Sequence, residues 1–379
     1  GLVGSEMCIR DSGKMGQDIF NLLFDKLRED RFVILEPYNT EKHAANLQKQ
    51  LDRKHRRGLL TEQQLADRKQ AVTFTADPGD FAGCDLVLEA IPEALAAKQA
   101  LFARLTQIVP ADCLLLTNTS SLPVADIFAP VQDLSRCTGM HFFYPVRLTG
   151  FVELNLLPET SAKTAEAVAA LVQRIGKEPL PLEGTYHMYL NQILSCAVAH
   201  GFVLLEQYGV SPAQLDKALS GLMPTAPVFE ILDSVGVGLM GADPGRFRIP
   251  RNAGLLAYGH TAMKQLLDTG CSPAPLSFLD YAAAHMPDTS GDASRATADM
   301  TALLLNEMAH ALGEYNGDRA LFARAMQETL GLAQTPKELY QAYGAETLSA
   351  VLDRFYQTTG FASYQPAGVQ IWDTIFSEV

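Results

Sequence analysis

The pattern of apolar residues changes near residue 185, and that change constrains the fold more than any single motif. Before it, short apolar runs alternate with amphipathic stretches; after it, every patterned stretch has helical spacing. Alternation of the first kind builds a mostly parallel sheet covered by helices, and a helix-only continuation builds a separate layer of its own. At 379 residues the chain also exceeds what one hydrophobic core serves. The stretch "GKEPLPLEGT", 176–185, is rich in Gly and Pro and reads as the boundary. The expected organisation is an α/β domain over 1–184, a helical domain over 185–290 and a second, diverged helical repeat over 291–379. The repeat rests on an internal echo: "LSCAVAHGFVLLEQYGVSPAQLDKAL" and "LLLNEMAHALGEYNGDRALFARAM" each join a long helical pattern, a turn and a second helical pattern.

Within the first half, strands are expected at 31–37, 71–77, 84–92, 112–120, 136–143 and 150–157, with a helix over 93–109. A composition of 47% hydrophobic and 19% charged residues belongs to an ordinary globular chain. The net charge of −13 repels nucleic acid and anionic membranes, leaving a small molecule as the favoured partner. An anionic substrate would then need a local basic cluster. The six cysteines lie far apart without CxxC spacing, so they are expected to be reduced packing residues, with no metal site. No apolar run approaches the roughly 20 residues of a membrane span, and "GLVGSEMCIRDS" lacks the pattern of a signal peptide. A cytoplasmic protein is expected.

"SGKMGQDIFNLLFDKL" puts Gly13, Met15 and Gly16 at a helix start, and Glu36 ends the next strand about twenty positions on. That order suits a dinucleotide: glycines admit the pyrophosphate to a helix N-terminus, and a carboxylate takes the ribose hydroxyls. A Gly-containing helix start beside a solvated Glu describes the same residues. An acid at position 36 repels a 2′-phosphate, which favours NAD over NADP. Asp11 stands where the fingerprint wants glycine, and "GLVGSEMCIRD" lacks a continuous apolar run, so the first strand is expected to be missing or replaced. "LTNTSSLPVADI" places Asn118, Ser120 and Ser121 just after a strand, where such sheets bind ligands; Ser120 or Ser121 would equally serve as a helix N-cap.

"HFFYPVRLTGFVEL" sets His141 and Glu153 at the ends of two short runs joined by a proline bend. Facing each other across that bend, the carboxylate would hold one ring nitrogen and leave the other able to take a proton from an alcohol. A core histidine satisfied by a backbone carbonyl is the alternative. Alternation puts Val152 and Leu154 on one face and Phe151, Glu153 and Asn155 on the other. Asn191, in "HMYLNQILS", is a lone polar residue at an apolar helix start and alone reads as a cap.

Together, "DLVLEAIPEALAAKQALFARL", "TNTSSLPVADI", "GMHFFYPVRLTGFVEL" and "PTAPVFEILDSVG" resemble the L-3-hydroxyacyl-CoA dehydrogenase family over residues 13 to about 240. The resemblance implies a Rossmann-like NAD-binding domain followed by an all-α region like the C-terminal domain of 6-phosphogluconate dehydrogenase. The tail from Leu330 resembles the second helical copy of multifunctional β-oxidation enzymes. Carried over by residue, His141 is the general base and Glu153 its orienting partner. Ser120 and Asn191 hydrogen-bond the substrate oxygen, Asn191 coming from the helical domain. Gly13, Met15, Gly16, Glu36, Glu93, Lys98, Asn118, Ser120 and Tyr144 fall on NAD-binding positions. "DRKHRR", 52–57, falls in the family's helical hairpin, where Lys54, Arg56 and Arg57 would meet coenzyme A; a solvated face is the other reading.

The chain departs from the family's pattern at several points. Tyr144 replaces the asparagine of a His-Phe-Phe-Asn-Pro motif, "HMYLNQ" loses a glycine and an arginine, and "GLVGSEMCIRDS" resembles translated adapter read-through in place of a natural first strand. The implied reaction is oxidation of an L-3-hydroxyacyl-CoA to the 3-oxoacyl-CoA. Rival readings are a catalytically impaired NAD-binding relative and a dehydrogenase of a non-thioester hydroxy acid. Two assemblies stay open: a homodimer, and a pseudo-dimer within one chain.

Overall fold

The computed structural model describes residues 4–11, 14–36, 38–183, 188–241 and 249–379. The chain divides into two compact units, Gly1–His187 and Met188–Val379. The expected boundary at 184/185 falls on residues outside the described set.

In the first unit, β1 (Glu6–Asp11), β2 (Arg31–Leu35), β3 (Val72–Thr75), β4 (Leu86–Ala90), β5 (Leu114–Thr117), β6 (Cys137–His141), β7 (Phe151–Leu156) and β8 (Glu178–Glu183) form one sheet. Its order is β3-β2-β1-β4-β5-β6-β7-β8. Neighbouring strands run parallel except β6 and β7. The six strands expected from sequence are β2 to β7; all end earlier than expected, and all but β2 also start later. Two expectations are corrected. The first strand is present: Met7, Cys8 and Ile9 are fully buried in β1, which bonds β2 on one side and β4 on the other. Three apolar residues suffice there because both edges of the strand are paired. The stretch 176–185, read as a boundary, contains β8, whose Leu180 and Leu182 are buried at period two while Pro181 faces outward.

Adjacency of β1 and β4 also overturns the expectation of six reduced cysteines. Cys8 and Cys84 lie 6.0 Å apart at their Cα atoms and are joined as a disulfide, while Cys113, Cys137, Cys196 and Cys271 are free and buried.

Helices α1 (Lys14–Lys26), α2 (Thr40–Arg56), α3 (Glu62–Gln70), α4 (Leu95–Leu105), α5 (Val124–Ile127) and α6 (Ala162–Arg174) belong to this unit. The helix expected over 93–109 is α4. Ile19, Leu22, Leu23 and Leu27 of α1 and its extension join Val168, Leu171 and Val172 of α6 in a core that also holds Met140, Val152 and Leu154. Each such side chain contributes about 1.5–3 kcal/mol by leaving water. Because Val152 and Leu154 take that core, the two-residue period turns Glu153 and Asn155 to the other face of β7, both fully buried.

The second unit contains α7 (Tyr189–Tyr208), α8 (Pro212–Leu219), α9 (Val228–Val235), α10 (Val237–Met240) and α11 (Ala253–Asp268). It continues with α12 (Phe278–His285), α13 (Ala296–Glu314), α14 (Arg319–Leu330), α15 (Pro336–Thr359) and α16 (Val369–Glu378). The expected echo recurs as α7–α8 and α13–α14: Ser211 caps α8 and Asp318 caps α14, each accepting from a backbone N–H three residues on. Farther along, Gly236 and Gly344 break the chain's helical course with φ of +92° and +73°. Among the described residues no single helix is long and apolar enough to cross a membrane; α7 and α8 pass together but bend by 112°.

Candidate active site

His141 ends β6 and Glu153 lies opposite it in the antiparallel register with β7. The pairing puts His141 Nδ1 2.6 Å from Glu153 Oε2. Both residues are buried, at 3% and 0% exposure. An ionised carboxylate only accepts, so Nδ1–H donates and the lone pair resides on Nε2. Glu153 Oε1 has no hydrogen-bond partner among the described residues. An acceptor held in reserve this way suits a ring that gains charge during reaction. The Phe143 ring lies 4.4 Å from the imidazole and fixes its tilt. The alternative of a histidine satisfied by a backbone carbonyl does not apply to Nδ1.

The ends of β4 and β5 meet beside this pair in the sheet order. Asn118, directly after β5, accepts from the Phe142 backbone N–H at 2.9 Å and so ties the β5 end to the residue after His141. Glu93 Oε1 accepts from the Ser120 and Ser121 backbone N–H groups at 2.8 and 2.9 Å and from the Thr119 hydroxyl at 2.5 Å. The Ser120 hydroxyl is 3.4 Å from the same oxygen. Burial opposes ionisation of Glu93, but the Lys98 charge and these donors outweigh it and hold its carboxyl at about 2. The 119–121 turn is therefore pinned from beneath by a permanent anion.

Lys98 is 1% exposed. Its ammonium donates to Glu89 Oε1 at 2.6 Å and to Ile91 O at 3.1 Å, with Glu93 Oε2 at 3.2 Å. Sequence reasoning missed Glu89, which looks like one more residue of the strand pattern "CDLVLEAIP". A carboxylate inside an otherwise apolar strand was the available signal.

At the other end of the crevice, Glu36 closes β2 at 7% exposure and accepts from the Tyr38 backbone N–H at 3.0 Å. Met15 and Gly16 lie in the first turn of α1, Met15 partly exposed and Gly16 buried. Gly13 lies outside the described residues. A helix N-terminus after the central strand and a carboxylate after its neighbour fit NAD: the first receives pyrophosphate, the second a ribose diol.

Tyr144 follows the site at a cis Tyr144–Pro145 bond, its ring 55% exposed. Lys54 is not a free cation: its ammonium is 2.7 Å from Asp25 Oδ1, and Arg147 reaches Asp25 Oδ2 at 2.6 Å. Burial raises the Asp25 carboxyl, but bonds to Lys54 and Arg147 prevail and hold it below the usual range. One carboxylate between two cations leaves a surplus positive charge beside a cleft of about 180 Å³ lined by Asn21, Leu47 and Gln50. Arg56 and Arg57 are exposed. Asn191 belongs to the helical unit, in the first turn of α7 and partly exposed. Burial pushes the Cys113 and Cys137 thiols up to about 12, so neither supplies a thiolate.

Residues 9–185 match the family model described as the 3-hydroxyacyl-CoA dehydrogenase NAD binding domain. A 3-hydroxyadipyl-CoA dehydrogenase of Escherichia coli is 31% identical over 182 residues, 48% of this chain and 38% of that protein. A probable 3-hydroxybutyryl-CoA dehydrogenase of Bacillus subtilis is 28% identical over 214 residues, 56% of this chain and 75% of that protein. The crystal structure of a 3-hydroxybutyryl-CoA dehydrogenase from Escherichia coli superposes with a TM-score of 0.76, covering 99% of this chain and 98% of that one at 18% identity. The last comparison establishes the fold.

Proposed function

We propose that the chain, whose residues 9–185 match that NAD binding domain, is a member of the 3-hydroxyacyl-CoA dehydrogenase family and that it oxidises L-3-hydroxyacyl thioesters of coenzyme A to 3-oxoacyl thioesters. The observation that carries this reading is the buried His141–Glu153 pair at 2.6 Å in an NAD-binding sheet. NAD supplies the hydride acceptor when bound. His141 Nε2 takes the proton of the 3-hydroxyl, a contribution on the order of a hundred- to ten-thousandfold in rate. Glu153, 2.6 Å from Nδ1, gives the resulting imidazolium a partner, so the charge is not stranded in a buried site. Ser120, held by Glu93, donates to the substrate oxygen as its charge changes. The resemblance adds Asn191 as a second donor, a role tested separately by Asn191→Ala. The cationic surplus of Lys54 and Arg147 supports an anionic substrate such as a coenzyme A phosphate.

Mixing the protein with acetoacetyl-CoA and NADH tests the reading by loss of NADH absorbance. Turnover is expected with the thioester and not with free acetoacetate. Turnover of free acetoacetate alone would point to a non-thioester hydroxy acid, and tight NADH binding without turnover of either would point to an impaired relative. We further propose that the echo of α7–α8 in α13–α14 reflects a duplicated helical domain, so that a single chain holds the contact made elsewhere by a dimer. Light scattering on the eluting protein is expected to give a monomer mass.

A further inference from the structure

In a doubly wound sheet a dinucleotide spreads one mononucleotide over each half, either side of the point where strand order reverses. Here the reversal lies between β1 and β4, so the half away from Glu36 is β4-β5-β6. At its carboxyl end sit three charges: Glu89 and Lys98, 0% and 1% exposed, and Glu93, whose side chain is 15% exposed. Glu89 Oε1 accepts from Lys98 and from the Ile91 backbone N–H, and Oε2 accepts from the Thr117 hydroxyl at 2.6 Å. The ammonium has three acceptors, Glu89, Glu93 and Ile91, for its three protons. One cation offsets one of two carboxylates, so the cluster keeps one uncompensated negative charge. A brace between strands would need only a neutral donor and acceptor, and burying a surplus ion is costly. The surplus suits a cationic ligand, and the oxidised nicotinamide ring is a cation whereas the reduced ring is neutral.

We propose that Glu89, acting through Lys98 and Glu93, is a positioning residue that keeps one negative charge against the nicotinamide half of the crevice and biases binding toward oxidised NAD. The inference rests on the NAD reading of this domain. Its test is calorimetric titration of the full chain with NAD⁺ and with NADH, comparing the ratio of the two Kd values. Glu89→Gln leaves the cluster neutral, and the ratio is expected to move against NAD⁺ by about threefold to tenfold, the size of a screened unit-charge interaction. The double variant E89Q/K98Q restores a single negative charge on Glu93, and its ratio is expected to return to that of the parent. An unmoved ratio in E89Q, or a double variant that stays with E89Q, overturns the inference. Should E89Q not fold, E89Q/K98Q is compared with E89Q/K98Q/E93Q, and equal ratios overturn it. A parent protein that binds neither nucleotide would instead overturn the NAD reading beneath it.

Discussion

Both units bury charge, and they bury it in different places. In the sheet unit two groups of buried ions gather where strands end and loops open: Glu89, Lys98 and Glu93 after β4, His141 and Glu153 across β6 and β7. In the helical unit they brace the interior. Glu307, fully buried on α13, accepts from Arg251 Nη2 and Asn252 Nδ2, both at 2.7 Å, and Arg251 also donates to the Tyr189 hydroxyl at 2.9 Å. His200 Nδ1 lies 2.7 Å from the Tyr364 hydroxyl, far along the chain. Charge at strand ends is placed to meet a ligand, whereas charge between helices closes on itself. The two should therefore fail differently when broken.

The largest separation is expected from His141→Ala, which should lower the kcat of acetoacetyl-CoA reduction by about 10²–10⁴ while the Kd for NADH stays close to the parent. Unchanged kcat would remove His141 from the chemistry. Arg251→Ala should do the reverse, since it strands Glu307 without its ion partner: a loss of about 3–5 kcal/mol is expected in urea unfolding. The single Trp372, buried in α16, reports that transition by fluorescence. An unmoved midpoint would show that the interior pair is not a brace.

Acid should also reach the two units at different points. Burial holds His200 at about 3, below its usual 6.5, so the unfolded state binds a proton that the folded one refuses. That stability is present above pH 6.5 and is lost as pH falls toward 3, at up to about 1.4 kcal/mol per pH unit. Glu93, held at about 2 against its usual 4.5, contributes stability above 4.5 that is lost only as pH falls toward 2. The Trp372 transition of the parent should weaken from pH 6 to 5 and that of His200→Gln should be flatter; identical slopes would break the contrast. The smallest effect expected is in cofactor choice. Glu36→Gln should narrow the Kd ratio of NADPH to NADH by about fivefold, and an unchanged ratio would detach Glu36 from the ribose.

Much of this was legible because each signal was local. The period-two placement of Glu153 opposite the Val152 and Leu154 face, and the position of His141 at the end of its run, announced the pair before any coordinates. What escaped depended on neighbours far away in sequence. β1 has too few apolar residues to read as a buried strand, yet pairing on both edges carries it. β8 was hidden by its prolines. Glu89 shows in the sequence only as a carboxylate in an apolar strand, because its partners, Lys98 and Thr117, lie 9 and 28 residues on, and only the parallel β4–β5 register brings the second within reach. The ion pair of Lys54 does not show in "DRKHRR" because its partner Asp25 lies on another helix.

The prolines of β8 have a further effect. β8 is the last strand of the sheet, and its Glu178 N–H points inward to Gly150. Alternation then aims the positions of Pro179 and Pro181 outward, where each lacks the proton that a newcomer's carbonyl would seek. A second molecule approaching this border finds no backbone donor at either proline position, and so lacks the bonds that a ninth strand would need there. The same two rings that disguised the strand in the sequence guard the sheet against runaway polymer growth.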